Sequence, residues 1–198
     1  MNPYLLTLGA NLCFATGSQA FTYFGKKLGP LWMNTFKALI GLLAFCLTVI
    51  LFEKFYLPNT FSLLLLLASG IIGLGVGDTF LVKSFVEIGP GRTLVLFGFQ
   101  PIVIGSLSYL FLSQSISLEK FYGIIFCIIC VFIFSYENLK KSGSWNIKGI
   151  SFAFIGMSLD ATGLLLTRIA FENDHLLTSN QGNIYRIFGA LISYYFLS

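Results

Sequence analysis

The sequence predicts an all-α integral membrane protein, a polytopic bundle of about seven transmembrane helices, and three observations carry that prediction. Hydrophobic residues make up 56% of the 198-residue chain and aromatic residues 17%, while charged residues supply only 10%, against roughly 25% in a soluble domain. The apolar residues gather into seven runs, and a helix of about 20 such residues crosses the bilayer core. Shared among seven spans, the 198 residues allow about 28 per span with its loop, so the connectors are expected to be short and to leave no room for a separate soluble domain. No run alternates as a barrel strand would.

The first span, 3–23, follows Met1-Asn2 with no basic leader region or small-residue cleavage site, so it is expected to be retained. Asn11, Ala15, Ser18 and Thr22 form one small and polar stripe along it, suited equally to a cavity wall or a helix contact, and Gln19 lies beside them. The second span, 31–52, opens at Pro30, a residue suited to a first helical turn. It contains Asn34 and Lys37. A lysine costs up to about 3 kcal/mol at a span centre, and the ten Leu, Ile, Val and Phe residues from Leu39 to Phe52 compensate by about 0.5 each, so the segment inserts.

Asn59-Thr60 suits the cap of the third span, 61–86. There Gly73 and Gly77 share a helix face with Gly70 near it, which permits close helix contact. Asp78 lies about two thirds along this span, while Lys83 and Glu87, four apart, are placed to pair. Gly89-Pro90-Gly91 makes a tight connector to the fourth span, 93–113, in which Pro101 removes a backbone donor and predicts a kink near position 97, beside Gln100. Ser117 suits the cap of the fifth span, 121–136. Its Cys127 and Cys130 have Cys-x-x-Cys spacing but no polar support, and with Cys13 and Cys46 they are read as buried, inert thiols. The sixth span, 150–170, carries Gly156, Asp160, Gly163 and Thr167 on one stripe, the carboxylate being a candidate for cavity lining. The seventh, 184–197, contains Arg186 and runs to the terminal Ser198.

An internal repeat underlies this order. Ala15-Thr16-Gly17 recurs as Ala161-Thr162-Gly163, an offset of 146, and Asn34-Thr35-Phe36-Lys37 is echoed by Asn183-Ile184-Tyr185-Arg186, an offset of 149. With five spans in the first unit, 1–139, the second unit, 140–198, begins upside down, as in inverted-topology transporters.

Between 73 and 134, Gly77-Asp78, Ser84-Phe85, Ile88-Gly89, Arg92-Thr93, Pro101 and Gly123 occur in an order that resembles the drug/metabolite transporter superfamily, specifically its EamA-domain group. The resemblance implies ten helices in two inverted five-helix repeats. Of these the chain would hold the first repeat and the incomplete start of the second, about two thirds, cut off at its C-terminus and with an exposed side on the sixth and seventh helices. Gln114 stands where the family often has Glu, a departure that removes a carboxylate available for ion coupling.

The function so implied is secondary transport of a small metabolite or drug-like solute by alternating access, in a multi-pass protein of a bacterial inner (plasma) membrane. The translocation candidates are Lys37, Asp78, Asp160, Arg186, Asn11, Gln19, Asn34 and Gln100. Lys37 and Arg186 occupy matching places in the two units, where they are able to meet an anionic solute or to pair with Asp78 and Asp160. No catalytic residue, metal or cofactor is expected, because the carboxylates are dispersed and His175, the lone histidine, sits in a polar loop beside Asp174. The expected partners are the lipid bilayer, the solute and a second copy in a homodimer. Nucleic acid is not among them, the +4 net charge being scattered over loops. The alternative is a non-transporting helical membrane protein with a structural or receptor role. Basic residues favour the odd-numbered loops, which places the N-terminus outside by the positive-inside rule; the family resemblance implies the opposite.

Overall fold

The computed structural model describes residues 3–112 and 146–198, with isolated positions between 118 and 136. Most of the fifth predicted span lies outside the described residues, as do Gln114, Cys127 and Cys130. All regular structure among the described residues is helical. The first two helices are α1 (Pro3–Leu28) and α2 (Pro30–Phe52). The third span is one long helix, Thr60–Ile88, made of α3 (Thr60–Ser69), a π-helical stretch (Gly70–Gly77) and α4 (Asp78–Ile88). Then follow α5 (Pro90–Phe97), α6 (Gln100–Leu112), α7 (Ile147–Asn173) and α8 (Ser179–Leu197). Among the described residues, four helices, Pro30–Phe52, Thr60–Ile88, Pro90–Phe111 and Ile147–Asn173, are long and apolar enough to cross a bilayer. The more polar α1 and α8 pack beside them.

Local chemistry sets most boundaries. Pro30 and Pro90 take first-turn positions after Gly29 and Gly89, whose φ values of 94° and 84° turn the chain between spans. Asn59 caps α3 by accepting from Ser62 N at 2.8 Å, and Asn146 caps α7 by accepting from Gly149 N at 3.0 Å. The helix is interrupted before Pro101: α5 stops at Phe97, and the Gly98 and Phe99 N–H groups bond three residues back, to the Val95 and Leu96 carbonyls.

The third span and α7 run antiparallel in contact along their length, and α8 packs on the other side of the π stretch and on α2. Outer faces carry side chains suited to lipid, such as Leu43, Ile50 and Leu51 on α2 and Phe188, Ile192 and Tyr195 on α8. Cys13 is exposed on α1 rather than buried. Lys83 does not pair with Glu87. It lies over the rings of Phe80 and Phe152, while Glu87 reaches across to Lys148 at 3.2 Å and Asn146 at 3.3 Å, because the close approach of α7 offers partners nearer than the next turn of α4.

At the opposite end of these helices, two loops exchange carboxylates. Glu53 accepts from Thr178 Oγ1 at 2.5 Å and Asn180 Nδ2 at 2.6 Å, at the start of α8. Buried Asp174 accepts from Asn59 N at 3.1 Å and from the Tyr56 hydroxyl at 3.3 Å. The hydroxyl and amide donors hold Glu53 below the ordinary carboxylate range, and Asp174 pushes the Tyr56 phenol up. Because Glu53 is lowered, its contribution is fully present above the ordinary carboxylate range and is lost as pH falls through the lowered value. Asp174→Ala removes the shared acceptor of Asn59 and Tyr56 and is expected to cost about 1 kcal/mol, read as a lower thermal midpoint of the purified protein, whereas His175→Ala, on an exposed side chain, leaves the midpoint unchanged.

Candidate functional site

Glycines at 70, 73, 75 and 77 leave the middle of the third span without side chains, and its backbone relaxes into π geometry, with the Asp78 N–H donating to Gly73 O. This rephasing gives the glycines two faces. A Cβ on Gly73 would lie 3.4 Å from the Gly163 Cα, and one on Gly77 would lie 3.2 Å from Asp160 N, so this pair serves α7. Gly70 and Gly75 instead meet the Arg186 backbone and Ser193 of α8. Gly70 therefore does not share the Gly73 face, as regular helix spacing suggested. The stripe Gly156, Gly163 and Thr167 is a helix contact, with Thr167 Oγ1 2.6 Å from Ser69 Oγ.

Four charged side chains surround this stretch. Lys37 of α2 forms an ion pair with Asp78, and its ammonium also lies 5.6 Å from the centre of the Phe21 ring. Asp160, the fourteenth of the 27 residues of α7, accepts from Gln100 Nε2 at 2.6 Å. Arg186 is buried and does not pair with Asp160: its Nε donates to Ser69 Oγ at 3.0 Å and its Nη1 to Asn183 Oδ1 at 3.3 Å. Ser69 Oγ in turn lies 2.8 Å from Gly163 O, which ties the Arg186 anchor to α7. Asp160 is near enough to feel Asp78, Arg186 and Lys37 through space. The charges sum to zero when all are ionised, which suits an apolar setting.

Between α2, the π stretch, α4 and α8 lies a cavity of about 210 Å³. Lys37, Asp78, Asn183 and Tyr194 form its polar wall, and Gly41, Leu74 and Ile187 are among its apolar lining. The Tyr194 hydroxyl donates to Leu74 O at 2.5 Å, bracing α8 on the π stretch. One turn before Lys37, Asn34 is fully buried, and neither amide atom has a partner among the described residues.

Of the eight candidates, Lys37, Asp78, Asp160, Arg186 and Gln100 gather around the π stretch, and Asn34 shares the α2 face of Lys37 and Ala38. Asn11 and Gln19 are exposed on α1, apart from the cluster, although Ser18 and Thr22 of the same stripe are buried. Sequence reasoning missed Asn183, Tyr194 and Ser69. Asn183 was signalled by its match to Asn34, whereas nothing local marks Tyr194 or Ser69.

A model of the EamA-like transporter family matches residues 1–136 of the chain. No curated protein and no solved structure matches the chain.

Proposed function

The chain belongs to the EamA-like transporter family, and from that membership of a membrane transporter family we propose that it moves a small solute by alternating access. The observation that carries this reading is the convergence of Lys37, Asp78, Asp160 and Arg186 around a glycine-rich π stretch inside the spans. Ionisable groups are costly there and are found where substrates or ions pass, and π segments frequently mark functional sites. The matching places of Lys37 and Arg186 support inverted repeats at 1–139 and 140–198, with the site between them near the midplane. A bacterial plasma membrane is the setting that fits this class of protein, and a homodimer its proposed assembly.

Lys37→Gln and Arg186→Gln test the reading in cells expressing the protein. Each is expected to reduce uptake or export of a responsive solute to background when flux is normalised to the folded protein in the membrane; wild-type normalised flux in both variants would sink it.

A further inference from the structure

The helices around the cavity are not held alike. α7 and α8 meet the third span backbone to backbone: a Cβ on Gly163 would lie 2.9 Å from the Gly73 Cα, and Gly70 and Gly189 meet the main chain of Arg186 and Leu67. Main-chain contacts of that kind have no rotamer through which to yield. α2 meets α8 instead through side chains, with Ala38, Leu42 and Phe45 among those packed with Ile187, Ala190 and Tyr194. A Cβ on Gly41 would lie at an ordinary 3.5 Å from the Ile187 Cδ1, and an interface of this sort permits sliding. Two polar attachments hold α2 to the third span and α8 among the described residues. One is the Lys37–Asp78 ion pair at the cavity; the other is Glu53, the C-cap of α2, which the start of α8 holds through Thr178 and Asn180.

The seating of α2 is also incompletely satisfied. Three buried side-chain atoms lack a hydrogen-bond partner among the described residues: both amide atoms of Asn34, and Oε1 of Gln181, whose Nε2 donates to Lys54 O at 2.7 Å. They lie near the two ends of α2, and each orphaned buried group costs stability in this arrangement. The loop beyond is firmly held, since Asp174 accepts from Asn59 N and the Tyr185 hydroxyl donates to Tyr56 O at 3.0 Å. Residues 53–55 therefore link a fixed loop to a loosely seated helix, and three residues reach up to roughly 10 Å. Above the cavity, Phe45 lies two turns before Glu53 and Asn183 one turn beyond Asn180, and both line it.

We propose that α2 is the moving wall of the cavity and that Glu53 is its latch. With Glu53 bound to Thr178 and Asn180 the cavity is closed toward the α2–α3 loop; release of Glu53 lets α2 slide from α8 and opens it on that side. The proposal rests on the transporter reading above, because closing one end of the site in turn with the other is what alternating access requires.

The test uses the full chain in sealed vesicles, with its four cysteines replaced by serine and Gly41→Cys as reporter. An impermeant thiol reagent is added on the side of the α2–α3 loop, identified by labelling of Lys54→Cys in parallel vesicles. Loss of the bonds to the Glu53 carboxylate in Glu53→Ala is expected to speed labelling of the cavity cysteine about ten-fold. Asn180→Ala removes one donor, leaves the Thr178 cap of α8, and is expected to act in the same direction by a smaller factor, which keeps the test open should Glu53→Ala not fold. Bridging Glu53→Cys to Asn180→Cys with a short, reducible bis-thiol reagent, without the reporter, is expected to stop solute flux until reductant is added. Equal labelling with and without the latch, or unchanged flux through the bridged protein, would overturn the proposal. Flux with latch-independent labelling removes the latch and leaves the transporter standing, whereas latch-dependent labelling without flux of any solute removes the gating role together with the transporter reading.

Discussion

Gly70→Ala is expected to prevent recovery of the folded bundle. A Cβ at position 70 would overlap the carbonyl oxygen, carbonyl carbon and Cα of Arg186, main-chain atoms of α8 that have no rotamer through which to withdraw. Gly189 makes the reciprocal contact with the Leu67 backbone, so neither helix is able to slide without meeting the other. Overpacking a core costs about 1–3 kcal/mol when side chains yield; with backbone against backbone, a cost at or above about 3 kcal/mol is expected. The Arg186 to Ser69 hydrogen bond spans this same contact and would be lost with it. Gly91→Ala supplies the control, since nothing lies within 4 Å of a Cβ there. The yield of monodisperse protein and its thermal midpoint should fall sharply for the first variant and stay at wild-type values for the second.

Lys37→Gln carries the second large effect. Asp78, whose side chain is 12% exposed, is left without its cation. Breaking a buried pair by removing one partner costs about 3–5 kcal/mol; because the lysine side chain is 31% exposed, a value near or below about 3 kcal/mol is expected. The double variant Lys37→Gln/Asp78→Asn should regain most of that stability, since no stranded charge remains, while transport stays lost. Recovery of both stability and transport would mean that the pair only holds α2 to the third span.

The helical bundle was legible because it depends on local information: apolar runs long enough to span, and capping residues such as Asn59, Pro30 and Pro90 at their ends. Ends drifted where the signal was not apolar. The first helix continues from position 23 to Leu28 through Lys26 and Lys27, whose long stems let the charges reach water while the backbone stays helical. The gathering of Lys37, Asp78, Asp160 and Arg186 was legible from the presence of ionisable residues inside apolar runs. The partners were not. Pairing Lys83 with Glu87 used spacing alone and failed once α7 brought Lys148 closer. Facing arguments for Gly70 assumed regular α-helical phasing, which a run of four glycines does not keep. The contacts of Glu53 with Thr178 and Asn180 join residues 125 and 127 positions apart, a separation at which no periodicity carries information.

Counterflow in proteoliposomes tests alternating access most directly. Vesicles holding the protein are loaded with unlabelled solute and diluted into a trace of the labelled compound. The account predicts transient uphill accumulation of label in wild-type vesicles and none with Arg186→Gln at equal reconstitution. Label that only equilibrates in wild-type vesicles, or accumulates equally with Arg186→Gln, would contradict it.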